Sequence, residues 1–251
     1  IAGQLGVDVG LLRRAGQKLG VGSSAAAAAA ASAAVHASHG QDVADPAVRL
    51  RALRFALDGH REVSPRGSGA DVAAAALGGF VRFRRPGGVE DPAYEAEAVP
   101  APKGLVLRVV WTGEAASTRA LIAEVEKLRA RDAALHDRCM DALAAEAEAF
   151  AGAFEAGRGE PILEAARRYH AAMDALGQAA GAPIVEARLA RVAALAEAQG
   201  GAAKPSGAGG GDVALAFFLA EDAADAFTAE CRAAGLEPLD VPIGGPGPLA
   251  S

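Results

Sequence analysis

PRGSGADVAAAALGGFVRFRR, Pro65 to Arg85, is the stretch on which the reading of this chain turns. It opens on a serine-glycine turn around Ser68 and Gly69 and sets an acid at Asp71. An alanine-rich run follows that favours a helix, and the alternating Phe80-Val81-Arg82-Phe83-Arg84 predicts a short strand. Upstream lies a glycine loop, KLGVGSSA, Lys18 to Ala25, which runs straight into the helix-forming alanines to Ala31. Downstream lies a second, KPSGAGGGD, Lys204 to Asp212, ahead of an apolar strand pattern, Val213 to Leu219. The chain has four lysines, and one opens each loop. A glycine-rich turn exposes successive backbone N–H groups because no Cβ blocks an anion's approach, and a lysine adds a mobile positive charge. The first loop also sets a helix N-terminus, with unpaired N–H groups and a positive dipole end, beside its glycines. Two such devices and an acid suggest phosphoryl transfer.

Other patterns compete for the first loop. It spells G-x-G-x-x-A at Gly20, Gly22 and Ala25, with Asp42 about 20 residues on, where a dinucleotide-binding fold places its ribose acid. That fingerprint needs a buried strand before the first glycine, whereas LLRRAGQK carries three charges in eight residues, and Asp42 follows a helix end and turn, HASHGQ. Neither loop ends in the Gly-Lys-Ser/Thr of a Walker A loop. A plain turn followed by a helix is also open to these residues.

Taken in order, GVGSSA, GSGAD and SGAGGGD resemble the phosphate loop, catalytic-acid segment and third motif of the GHMP kinase superfamily. Within it they are most similar to the phosphomevalonate kinases of fungal and bacterial type. Those favour a lysine ahead of the phosphate loop, as at Lys18, a GSG-x-DVAAA run, as at Gly67 to Ala75, and KPSGAGGGD itself. WTGEAASTR, Trp111 to Arg119, resembles a further family segment, with no role attached. The resemblance implies an α+β, two-domain GHMP kinase fold. Residues 1–103 would be an N-terminal α+β domain, incomplete here, with the phosphate loop and the acid. Residues 104–251 would be a ferredoxin-like C-terminal domain with the third motif. The family begins with a first motif that supplies a catalytic lysine, and this chain starts at Ile1, seventeen residues before Lys18, so a truncated form is expected.

What the resemblance implies about chemistry is specific. The activity would be conversion of 5-phosphomevalonate to 5-diphosphomevalonate in the mevalonate route to isoprenoids, with ATP and Mg²⁺. The alternatives are mevalonate kinase, another GHMP small-molecule kinase, or a non-catalytic nucleotide-binding remnant. Asp71 would be catalytic, receiving the acceptor's proton; as a residue in the first turn of a helix it could equally complement the dipole. Lys18, Gly20, Gly22, Ser23, Ser24 and Ala25 would hold ATP, with the Ser24 hydroxyl on Mg²⁺. Arg66, Ser68, Gly69, Lys204, Ser206, Gly207, Ala208, Gly209 and Gly210 would hold the acceptor. Related kinases carry a metal-holding glutamate eleven residues before the acid, and that spacing lands on His60, a poor Mg²⁺ ligand because Mg²⁺ prefers oxygen. His60 otherwise reads as a helix-end residue.

Composition sets the wider limits. At 251 residues with 51% hydrophobic content there is ample material for a core, but only 4% is aromatic, so alanine-lined helices must pack closely. The net charge of −6 argues against a general nucleic-acid binder. Cys139 and Cys231 lack metal-site spacing and suit a reducing cytoplasm, as small packing residues. No apolar run reaches membrane-spanning length. The partners expected are small molecules, in a monomer or homodimer. Periodicity predicts helices over 23–39 and 45–59, strands over 80–84, 93–99 and 104–111, and a domain boundary near Lys103. Four helices are expected over 117–131, 133–156, 161–176 and 183–199, then a strand over 213–219, a helix over 222–234 and a strand near 236–243.

Overall fold

The computed structural model describes residues 13–14, 17–65, 67–88, 91–114 and 117–248. It divides into two compact units, Ile1–Ala101 with Pro242–Ser251, and Pro102–Val241. The first unit holds β1 (Arg13–Arg14) and β2 (Gln17–Lys18), paired antiparallel, then α1 (Ser23–Ser38), α2 (Pro46–Val63) and α3 (Ala70–Leu77). An antiparallel ribbon completes it, β3 (Phe80–Arg84) with β4 (Glu95–Val99), in the register Phe80↔Val99 to Arg84↔Glu95.

Small side chains explain how three helices fit so little core material. Ala25 and Ala29 of α1 pack against Leu53, Ala56 and Leu57 of α2 and against Val72, Ala73 and Ala76 of α3, with Phe83 and Tyr94 closing the base. Helix α2 starts where Asp45 accepts hydrogen bonds from the amides of Ala47 at 2.7 Å and Val48 at 3.4 Å, with Pro46 preset for the first turn. It does not stop at Gly59 as its sequence suggests, but continues to Val63. An internal glycine costs about 1 kcal/mol, less than the tertiary contacts of the extra turn, which buries His60. The chain end returns to this unit. Gly78 bridges to Pro246, and the Gly79 amide donates to the Gly245 carbonyl at 2.8 Å. Residues 242–251, which the sequence reading groups with the C-terminal domain, therefore lie with the first unit.

The second unit is a four-stranded sheet with helices. In chain order it runs β5 (Val106–Trp111), α4 (Thr118–Arg131), α5 (Ala133–Glu155), α6 (Gly159–Ala180), α7 (Ala187–Ala198), β6 (Ala202–Pro205), β7 (Val213–Phe218), α8 (Glu221–Ala233) and β8 (Glu237–Leu239). The sheet order is β6-β7-β5-β8 with every neighbouring pair antiparallel. That is the split β-α-β-β-α-β arrangement of the ferredoxin-like fold, with four helices in its first crossover. One core cluster joins the sheet to α7 and α8 through Val110, Phe218, Leu189, Val192 and Phe227. Another joins α4 to α6 through Leu121, Leu128, Met173 and Leu176.

Three boundaries differ from expectation for local reasons. Helix α6 begins at Gly159, with Pro161 inside its first turn, where its missing N–H costs nothing. Helix α7 begins at Ala187 and not near Pro183, because Glu186 caps it by accepting from the amides of Arg188 and Leu189. Lys204 and Pro205, read as the start of a loop, are the end of edge strand β6, paired with Leu215 and Ala214 of β7. Pro205 is tolerated there because an edge strand can forgo a donor.

Candidate functional site

In the first unit two helix N-termini meet. Gly20 and Gly22 take left-handed φ values of 71° and 80°, which lets the chain turn sharply into α1. Gly22 is the N-cap and offers no side chain to the first N–H groups of the helix. Helix α3 repeats the device, with Gly69 at φ 84° as its N-cap and no side-chain cap. A Cβ on Gly22 would stand 3.7 Å from the Cβ of Asp71, in the first turn of α3, so the phosphate loop and the acid are neighbours. Asp71 is exposed, and its Oδ1 accepts from the Val72 amide at 3.0 Å. The bare N-terminus of α1 thus lies beside a carboxylate, while α3 has its Ala70 amide on Ser68 Oγ at 3.3 Å and its Val72 amide on Asp71, an arrangement that can take an anion at α1 and hold a proton acceptor next to it.

The loop's neighbours are fixed by specific contacts. Ser24 Oγ lies 3.4 Å from His60 Nε2, the ring being buried on the added turn of α2. Arg85 donates from Nε to the Ser68 carbonyl at 2.6 Å and from Nη1 to the Asp91 carbonyl at 2.7 Å, which anchors the GSG turn to the end of β3. Gly69 is buried, and a Cβ there would come within 2.5 Å of Leu57, so only glycine lets the turn seat on α2. Ser24 and His60 also border an apolar cavity of about 660 Å³ that follows α1 past Ser32 and His36 to Gln41.

In the second unit the glycine motif is enclosed. A Cβ on Gly209 would overlap the Ile184 carbonyl oxygen, one on Gly210 would lie 2.9 Å from Leu121, and one on Gly211 would lie 2.7 Å from the Glu114 carbonyl oxygen. The Gly210 amide donates to the Ile184 carbonyl at 2.8 Å, and the Asp212 amide to the Glu114 carbonyl at 2.6 Å. Ser206, Gly207 and Ala208 remain exposed at the tip. Lys204 is half-buried near the end of β6. Its Nζ lies 5.0 Å from the centre of the Tyr169 ring on α6 and donates to the Pro205 carbonyl at 3.0 Å. Burial pushes its ammonium down to about 8 and the Tyr169 hydroxyl up.

Family models match both parts of the chain, GHMP kinases N terminal domain over residues 2–79 and GHMP kinases C terminal over 150–235. The chain belongs to the GHMP kinases. Over 232 residues it is 36% identical to the phosphomevalonate kinase of Streptomyces sp. (strain CL190), covering 85% of this chain and 61% of that relative's length. The GHMP kinase chain also superposes on a Lin0012 protein from Listeria innocua, with a TM-score of 0.81 and 24% identity, over 91% of this chain and 68% of the other. A Streptococcus pneumoniae phosphomevalonate kinase, solved in complex with phosphomevalonate and AMPPNP, matches with a TM-score of 0.76 and 19% identity, over 91% and 70%.

Of the residues that sequence placed in the site of this GHMP kinase chain, Gly22, Ser24, Gly69 and Asp71 come together in the first unit, with Gly20, Ser23, Ala25 and Ser68 in the same two loops. Arg66 and the side chain of Lys18 lie outside the described residues. Ser206 to Gly210 lie in the loop between β6 and β7, with Lys204 in β6 before it. Among the described residues no group of three or more His, Cys, Asp or Glu side chains could hold a metal. His60 is the residue that sequence reasoning undervalued. Its eleven-residue offset from Asp71 was the available signal, and only the continuation of α2 past Gly59 brings it to Ser24.

Proposed function

We propose that this chain is the phosphoryl-transferring part of a phosphomevalonate kinase, converting 5-phosphomevalonate and ATP to 5-diphosphomevalonate and ADP in the mevalonate pathway. The observation that carries the reading is the meeting of Gly22 and Asp71, an uncapped helix N-terminus beside a carboxylate. The 36% identity to the Streptomyces phosphomevalonate kinase supports the choice of acceptor. Backbone N–H groups of Gly20, Gly22, Ser23, Ser24 and Ala25, with Lys18, bind the ATP phosphates. Mg²⁺ would supply charge neutralisation when bound, and Ser24 Oγ would be the protein oxygen that holds it, with phosphate and water as the remaining ligands. His60 orients that hydroxyl from behind.

The acceptor's phosphate oxygen attacks the γ-phosphorus, the bond to ADP breaks, and Asp71 takes the proton that the acceptor phosphate carries when it enters as the monoanion. Arg66, Ser68 and Gly69, and separately Ser206 to Gly210, are read as acceptor-binding groups, while Lys204, with its Nζ over Tyr169 and on the Pro205 carbonyl, supports its own strand. Arginine suits its phosphate because the planar fork can bind two oxygens at once. Unpaired cysteines at 139 and 231 support a reducing, cytoplasmic setting.

Coupled ADP release with phosphomevalonate, mevalonate, homoserine and galactose tests the reading, on the chain and on any longer protein that contains it. Turnover is expected with phosphomevalonate. Turnover with mevalonate or another acceptor alone overturns the substrate, and nucleotide binding without turnover overturns catalysis. Asp71→Asn should lower kcat by about 100-fold or more with nucleotide affinity little changed, whereas a residue that only complements the helix dipole would leave kcat near normal. Because Asp71 is exposed, the melting temperature should hold.

A further inference from the structure

The segment Trp111–Arg119, which carried no role in sequence, begins with a turn that grips the third glycine motif. Thr112 is fully buried. Its amide donates to the Asp212 carbonyl at 2.9 Å, and its Oγ1 donates to the same oxygen at 3.1 Å. Two residues on, the Glu114 carbonyl accepts from the Asp212 amide at 2.6 Å. Both backbone groups of Asp212 are therefore held by one turn. Asp212 needs holding, since it is the only non-glycine among the described residues with positive φ, 56°, a conformation costing about 1–2 kcal/mol for an L-residue.

The turn is itself fastened from α7. Arg188 donates from Nη1 to the Thr112 carbonyl, and its Nε lies 3.6 Å from the Glu114 carboxylate. The guanidinium is aimed by its place in the helix. Glu186 caps α7 and accepts from the Arg188 amide at 2.6 Å, and the preceding link supplies the Ile184 carbonyl that takes the Gly210 amide. Gly113 lies beneath the guanidinium, where a Cβ would stand 3.0 Å from Nη1. One side of the motif is thus bound by the link into α7, and the other by a turn that α7 clamps.

We propose that Arg188 is a positioning residue for the third glycine motif, holding the Thr112–Glu114 turn so that Gly209 to Asp212 keep the backbone geometry an acceptor meets. It touches no reacting group. Its catalytic consequence rests on the reading of the motif as acceptor-binding, whereas the clamp itself does not.

The test measures hydrogen–deuterium exchange in the chain with Arg188→Ala, alongside coupled ADP release with phosphomevalonate and ATP. Exchange across residues 206–213 should speed up about tenfold, the effect of losing a charge-assisted hydrogen bond, while α8 and the β5–β7 ladder keep wild-type protection. Acceptor kcat/KM should fall by about tenfold with nucleotide KM unchanged. Unchanged exchange over 206–213 overturns the proposal. An equal rise across the whole second unit also overturns it, because Arg188 would then be a general stabiliser. If Arg188→Ala does not fold, Arg188→Lys is read in the same way, since an ammonium keeps the charge but cannot span both oxygens. A wild-type chain without phosphomevalonate turnover defeats the functional reading and leaves the exchange result to decide the clamp.

Discussion

The two glycine loops read alike in sequence and use glycine for different ends. In the phosphate loop the nearest atom to a Cβ on Gly22 is 3.7 Å away, ordinary contact distance, so the residue is needed for its left-handed φ and for the bare helix end it leaves. In the third motif, Gly209, Gly210 and Gly211 combine positive φ with a backbone pressed against Ile184, Leu121 and Glu114. The first loop is open and the second is packed. Glycine richness alone therefore distinguishes neither an anion cradle nor a tight joint, and the neighbours decide which it is.

The largest effect expected from that contrast is at Gly209. Valine there meets the Ile184 carbonyl and must adopt a left-handed conformation, so Gly209→Val should destabilise the second unit by about 3 kcal/mol or more as well as end turnover. Because Gly209 is buried, the loss of turnover should come with a clear fall in melting temperature. Denaturant unfolding of the chain checks it, and a wild-type midpoint would show the loop to be as open as the first.

Gly22→Ala should act more gently. Alanine fits sterically but bears the left-handed cost, so a loss of about 1–2 kcal/mol and roughly tenfold weaker binding of a non-hydrolysable ATP analogue are expected by calorimetry. Wild-type affinity would remove the loop from nucleotide binding. Gly207→Ala sharpens the comparison from the other side. No atom lies within 4 Å of a Cβ there, so stability should stay within about 0.5 kcal/mol, and any rise in acceptor KM reports a ligand against the exposed tip.

An effect read through pH concerns Lys204, at the end of the strand that leads into the packed loop. Its folded value near 8 lies below the usual 10.5 of a lysine, so between those values the unfolded chain binds more protons than the folded one. Stability should therefore rise as pH increases from about 8 to 10, and the unfavourable contribution is fully present below 8. In Lys204→Met this rise should vanish from the pH dependence of the denaturation midpoint. Its survival would mean that the ammonium is solvated.

Much of this was legible from one dimension because the signals are local. The strand Phe80–Arg84 coincides with its alternating pattern, the helix from 23 follows from its alanine run and those from 118 and 133 from capping and period, and the three motifs carried the family. The order of short motifs fixed the chemistry to look for, since phosphate loops and acids depend on residues a few positions apart. Tertiary structure decided what depends on distant packing. It decided that α2 runs on through Gly59 and brings His60 to Ser24, that Pro183 to Glu186 stays out of α7 so that Ile184 can receive Gly210, and that Lys204 lies on an edge strand against Tyr169. It also joined Thr112, Glu114 and Arg188 to Asp212 across about a hundred residues of chain. A propensity sees only its own turn of chain, and a carbonyl that accepts from a remote amide leaves no trace in the residues beside it.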